Sequence, residues 1–132
     1  MNDLRDPRFL IVDDVPARRR VMCALLKEIG FERCATAQDG GVALAMLARA
    51  TYDIIVSDTL MPNMDGFELL AAIKADAALK HLPVLMVTLE GRDDDFARAL
   101  AAGAAACIVK PFTRAALEQR VREVLARHAA IA

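Results

Sequence analysis

Tryptophan is absent from this 132-residue chain, and tyrosine occurs once, at Tyr52. The two histidines, His81 and His128, are isolated from each other and read as surface or satisfied core residues. Cys23, Cys34 and Cys107 form no Cys-x-x-Cys pair and no Cys/His cluster, so neither a zinc site nor a disulfide framework is supported. Charge of one sign is also missing. A net charge of -1 gives no electrostatic reason to expect nucleic acid or an anionic membrane as partner. No apolar run approaches transmembrane length, and Met1-Asn-Asp-Leu-Arg-Asp-Pro7 lacks the basic-then-apolar pattern of a secretory signal. The default location is therefore cytoplasmic.

The chain does have core material, at 56% hydrophobic residues, enough for one domain with one core. It is arranged as short apolar runs alternating with helical stripes. Phe9–Val12, Ile54–Val56 and Pro83–Val87 read as strands buried on both faces, and residues 104–109 as a shorter one. Residues 32–37 make a weaker strand suited to an edge, where Glu32 and Arg33 meet water. Pro16 suits a first helical turn, and Met22, Leu25, Leu26 and Ile29 lie on one face of the helix that Gly30 ends. Arg18, Arg19 and Arg20 fall off that stripe and read as a solvated face. Asp39-Gly40-Gly41 opens a second helix, and Phe67 to Lys74 carries Leu69, Leu70 and Ile73 inward. Asp93–Asp95 sit in a first turn, where the helix dipole favours them without any metal. Thr113 caps a last helix with Leu117, Val121, Val124, Leu125 and His128 on one face, followed by a tail over Ala129–Ala132. Residues 1–7 read as a frayed lead-in. Five strand–helix units without a long linker imply an α/β fold, a parallel sheet with helices on both faces and right-handed crossovers.

Polar groups close the apolar strands: Asp13-Asp14, Asp58, Thr88 and Lys110. In a parallel sheet all carboxyl ends lie on one edge, where ligands bind in open α/β sheets. Singly, each has a plain structural role as cap, turn or surface charge. Jointly, they make a chemical set. Gathered carboxylates repel, and a hard divalent ion with oxygen ligands, Mg2+ by preference, removes that repulsion and leaves positions for phosphate oxygens. Lys110 supplies a point charge for a phosphoryl oxygen or for Asp58, and Thr88 a hydroxyl donor. An ionised Asp58 beside Mg2+ can attack phosphorus and form an acyl phosphate.

This set resembles the receiver domain of bacterial two-component response regulators. The carrying motifs are Phe-Leu-Ile-Val-Asp13-Asp14, Asp58-Thr-Leu-Met-Pro-Asn-Met-Asp-Gly66, Pro-Val-Leu-Met-Val-Thr88 and Val109-Lys110-Pro111-Phe112, and the likeness spans residues 8–127. It implies one receiver domain over 1–132 and a flavodoxin-like, CheY-like three-layer sandwich with strand order 2-1-3-4-5. It implies that Asp58 accepts a phosphoryl group from a histidine kinase or phosphotransfer protein. It implies that Asp14, Asp58 and the Leu60 carbonyl bind Mg2+, with Asp13 acting through a metal-bound water. Thr88 and Lys110 would grip the phosphoryl group, the Lys110–Pro111 peptide would be cis, and Thr88 would move to reshape the face of the fourth helix, fifth strand and fifth helix. Such a protein is a signalling switch acting on itself rather than an enzyme in the usual sense, in chemotaxis or another two-component pathway. It would be a monomer or a weak, phosphorylation-linked dimer with a downstream protein target.

The chain departs from that pattern at three places. Cys107 stands at the aromatic switch position, Leu89 follows the switch threonine where a small residue is usual and would crowd the site, and Leu60 and Glu90 occupy positions that tune dephosphorylation. A haloacid-dehalogenase phosphatase would need a second aspartate where Leu60 sits. A flavodoxin-like FMN carrier would not place Asp13-Asp14 in its phosphate loop. A receiver that docks partners without phosphorylation is the remaining alternative, along with a receiver cut from a hybrid kinase. The start at Met1 and the end soon after the last helix favour a stand-alone regulator over the latter.

Overall fold

Apolar strands of four to six residues cannot cover their own faces, and here helices cover both. The structure, a computed structural model, describes residues 6–131. Its elements alternate throughout: β1 (Phe9–Val12), α1 (Pro16–Ile29), β2 (Cys34–Ala37), α2 (Gly40–Leu47), β3 (Ile54–Asp58), α3 (Gly66–Ala75), β4 (Val84–Leu89), α4 (Asp93–Ala101), β5 (Ala106–Lys110) and α5 (Arg114–Ile131). All strand pairs are parallel, in the order β2-β1-β3-β4-β5, which puts β3 at the centre and the weak strand β2 at an edge.

Alternation along each strand divides the core in two. Phe9, Ile11, Ile54, Val56, Leu85, Val87, Ala106 and Ile108 pack with Leu26 of α1 and with Leu117, Val121, Val124 and Leu125 of α5. Leu10, Val12, Ile55, Val84, Met86 and Cys107 face α2, α3 and α4, through Ala43, Leu47, Leu69, Leu70, Ile73 and Ala99. Each large side chain so buried contributes about 1.5–3 kcal/mol.

Caps set the element ends. Gly30 has φ +120, a conformation costly for other residues, and its N–H reaches back to the Leu26 and Lys27 carbonyls. Asp39 caps α2 by accepting from Val42 N–H at 2.9 Å. Asp65 and Glu68 form a capping box at α3, with bonds of 2.9 and 3.3 Å. Thr113 Oγ1 accepts from Ala116 N–H at 3.1 Å at the head of α5.

Three readings need correction. The arginine face of α1 is not wholly solvated, as described below. Cys23 of α1 and Cys34 of β2 form a disulfide, with Cα atoms 6.0 Å apart. They lie eleven positions apart in sequence, but the turn after Gly30 folds β2 back along α1. The last helix continues to Ile131, beyond the tail expected from residue 129. Of the expected lead-in, residues 1–5 lie outside the described residues, while Pro7 is buried. Among the described residues no helix is long and apolar enough to cross a membrane.

Candidate functional site

Register aligns the site. Val12 pairs with Ser57, Asp58 with Val87, Thr88 with Val109 and Leu89 with Lys110. Asp13, Asp58, Thr88 and Lys110 therefore emerge along one edge of the sheet. Asp58 is 6% exposed. Its Oδ2 accepts from Lys110 Nζ at 3.0 Å and its Oδ1 from the Leu60 N–H at 3.2 Å. The Lys110–Pro111 peptide is cis.

The loop after Asp58 is pulled tightly against it. Thr59 N–H bonds to the Val87 carbonyl and Gly66 N–H to the Thr59 carbonyl, both at 3.1 Å. A Cβ on Gly66 would lie 2.1 Å from the Asp58 carbonyl oxygen. The glycine is there because the start of α3 touches the backbone at the end of β3. As a bare motif letter it looked like a turn residue.

Asp13 and Asp14 continue β1 into the loop before α1. Asp13 Oδ1 accepts from the Val15 N–H at 2.9 Å, and Arg19 Nη1 donates to the Asp13 carbonyl at 2.7 Å. Burial pushes the Asp13 carboxyl above its ordinary value; the Val15 N–H pulls it down, Asp58 adds to the rise and Arg18 opposes it.

Arg18 is the residue the sequence reading missed. Its Nε lies 3.2 Å from Asp13 Oδ1, and its Nη2 lies 3.4 Å from Asp14 Oδ1 and 3.7 Å from Asp58 Oδ2. Burial pulls this guanidinium down, but Asp13, by charge and hydrogen bond, with Asp58 and Asp14 behind it, turns the net direction upward. The i,i+4 spacing from Asp14 was the available signal.

The donor chemistry suits a hard cation. Asp13, Asp14 and Asp58 offer carboxylate oxygens within reach of one guanidinium, which stands in for a shared positive charge. As they stand, with Arg18 among them, no three acidic, His or Cys side chains of the described residues converge closely enough to hold a metal.

Thr88 is 1% exposed and its Oγ1 has no hydrogen-bond partner; Thr59 Oγ1 is in the same condition. Leu60 and Leu89 are 43% and 45% exposed. A cavity of about 220 Å³ opens between α1 and the sheet, with Asp13, Arg18, Asp58 and Lys110 at its polar end. Leu89 does not line it. Cys107 is buried, and that burial, with the Asp95 charge behind it, pushes its thiol up to about 11, so it is no ready nucleophile. His81 is exposed, and His128 Nδ1 meets the Val124 carbonyl at 2.9 Å.

Residues 9–122 match the family described as response regulator receiver domain. The chain is 44% identical over 120 residues to the chemotaxis protein CheY of Pseudomonas aeruginosa, covering 91% of this chain and 97% of that protein. It is 42% identical over 123 residues to the chemotaxis protein CheY-3 of Vibrio cholerae, covering 93% and 95%. Among solved structures, the chemotaxis response regulator CheY4 of Vibrio cholerae superposes with a TM-score of 0.81 at 35% identity, covering 90% of this chain and 98% of that one. A response regulator from Chloroflexus aurantiacus superposes at 0.87 with 30% identity, covering 92% and 98%. With the 2-1-3-4-5 sheet and the aligned strand-end groups, these likenesses settle the family: the chain belongs to the CheY-like response regulator receiver domains, the signalling modules of two-component systems.

Proposed function

We propose that this chain, as one receiver unit with its core at about 8–127, takes a phosphoryl group on Asp58 from a phosphorylated histidine kinase or phosphotransfer protein. The observation that carries this reading is the buried Asp58 carboxylate at the end of the central strand, held 3.0 Å from Lys110 Nζ. In the transfer, an Asp58 oxygen attacks phosphorus and the P–N bond to the donor imidazole breaks. Its electron pair stays on the ring nitrogen, which then takes up a proton. Lys110 offsets the charge on the moving phosphoryl oxygens.

Asp14 and Asp58, with the Leu60 carbonyl, would hold Mg2+, and Asp13 would act through a water. Bound there, the ion supplies positive charge to the acid cluster and to phosphoryl oxygens. Thr88 provides the switch. A buried hydroxyl without a partner costs about 1–3 kcal/mol, and a phosphoryl oxygen on Asp58 gives it an acceptor. Movement of Thr88 frees space beside β4, and α4, whose one fully buried residue is Ala99, is weakly anchored. The face of α4, β5 and α5 then changes population and engages a downstream protein. Such receivers are switches rather than enzymes, and this one acts on itself, in the cytoplasm, as a monomer or a weak phosphorylation-linked dimer.

The test is intact mass after incubation with acetyl phosphate, with and without Mg2+, for the wild type and Asp58→Ala. The expected result is a Mg2+-dependent gain of one phosphoryl group, lost in the variant. Gain retained in Asp58→Ala removes Asp58 as acceptor. A second reading, a receiver that docks partners without phosphorylation, is favoured by the Arg18 pairing inside the acid cluster. No gain from either acetyl phosphate or a phosphorylated kinase domain would select it.

A further inference from the structure

We propose that Arg18 is the resident counter-ion of the acid cluster, and that a divalent cation enters only by displacing it. The inference rests on the metal reading above and extends it.

Arg18 occupies the third position of α1, where the positive end of the helix dipole disfavours a cation. No acidic residue in that first turn offsets it from within the helix. The compensation comes from outside the helix, from Asp13, Asp14 and Asp58 at 3.2, 3.4 and 3.7 Å. A planar guanidinium presents several donors in a fixed fork, so one side chain can span three carboxylates. It also shares Asp58 Oδ2 with Lys110, which places two cations on one acceptor oxygen.

The same oxygens cannot serve Arg18 and a divalent ion together. A doubly charged ion at that position would lie within a few ångströms of the guanidinium, and the repulsion is not offset by further ligands. Among the described residues no three acidic, His or Cys side chains converge closely enough to hold a metal in this arrangement. The route out is open, because the Arg18 side chain is 45% exposed. Swinging it to water removes its contacts with all three carboxylates at once and leaves Asp58 to Lys110 alone. The chain thus carries a tethered competitor that keeps the acid cluster neutralised without metal and weakens metal affinity.

The experiment is Mn2+ binding followed by loss of the free-ion electron paramagnetic resonance signal, with Mg2+ as competitor. The proteins are the full chain as wild type, Arg18→Met, Arg18→Lys and Asp58→Asn. Methionine keeps much of the stem and removes the charge. Arg18→Met should bind Mn2+ about three- to tenfold more tightly than wild type, the scale that a partly exposed ionic network supports. Arg18→Lys, a charge without the fork, should fall between wild type and Arg18→Met, and Asp58→Asn should lose affinity. Mg2+ should also raise the melting temperature of Arg18→Met more than that of wild type. Equal Mn2+ affinity in wild type and Arg18→Met, with both folded by circular dichroism, would overturn the proposal and leave the metal reading standing. Absence of binding in every variant would overturn the metal reading and this inference with it.

Discussion

Replacing Gly66 by alanine sets two physical effects against each other. Gly66 opens α3, and glycine in a helix is worse than alanine by about 0.5–1 kcal/mol, so propensity alone favours the substitution. Contact geometry opposes it. The new Cβ would stand 2.1 Å from the Asp58 carbonyl oxygen and 2.9 Å from Thr59 Cα, against an ordinary separation of about 3.5 Å. Both neighbours are backbone, and both are tied down, by Thr59 N–H to Val87 and Gly66 N–H to Thr59. Relief requires the end of β3 and the start of α3 to part by roughly 1 Å. Overpacking of that kind costs about 1–3 kcal/mol or more, so the net loss should be about 2 kcal/mol. In urea that is a midpoint lowered by about 1 M, read by far-ultraviolet circular dichroism. Gly41→Ala is the control. Its Cβ would meet Asp39 Oδ1 at 3.4 Å, an ordinary contact, and it should match or exceed wild-type stability. Gly40→Ala should fall between them, because it meets the flexible Met64 side chain at 2.7 Å. A Gly66→Ala protein as stable as wild type would refute the close-approach argument. A stable protein slow in phosphoryl uptake would show that Asp58 had moved instead.

Cysteine labelling without reductant should modify no residue in the native protein, one after denaturation and all three once reductant is added. At pH 8 a thiol with its pKa at about 11 is ionised to only about one part in a thousand, and Cys107 is buried as well. Three labels on denatured, unreduced protein would mean that Cys23 and Cys34 are not bonded. Lys110→Ala should keep a single cooperative unfolding transition with a loss of about 1.5–3 kcal/mol, the worth of one charged hydrogen bond, and should slow phosphoryl uptake at least about tenfold. Wild-type uptake would remove Lys110 from the chemistry.

The fold was legible because its strands are sandwiched. Ile54–Val56 and Val84–Val87 are apolar on successive residues, which only a doubly covered strand requires. The polar residues that end those runs pointed to the candidate site, since parallel strands deliver their ends to one edge. Strand limits drifted by a residue or two, as Lys110 belongs to β5 and Leu89 to β4. What stayed hidden depends on direction and distance rather than type. Arg18 lies off the apolar stripe of α1, and periodicity cannot say that its long stem reaches around to Asp58. The Cys23–Cys34 bond depends on how β2 folds back along α1. The need for glycine at position 66 arises from a backbone contact between two elements, which no local pattern encodes.

The sheet also acts as a thermodynamic partition. Ile54 and Ile55 are joined by a peptide bond, yet one belongs to the core beneath α1 and α5 and the other to the core beneath α2, α3 and α4. Truncating both side chains should therefore come close to adding two independent losses, because they share no packing partners. Ile55 with Ile73, far apart in the chain but in one cluster, has the means to couple. Cys107 and Ile108 place β5 in both compartments at once. A displacement of that strand is felt by α4 and α5 together, which lets one event at the carboxyl edge alter two helices that belong to different cores.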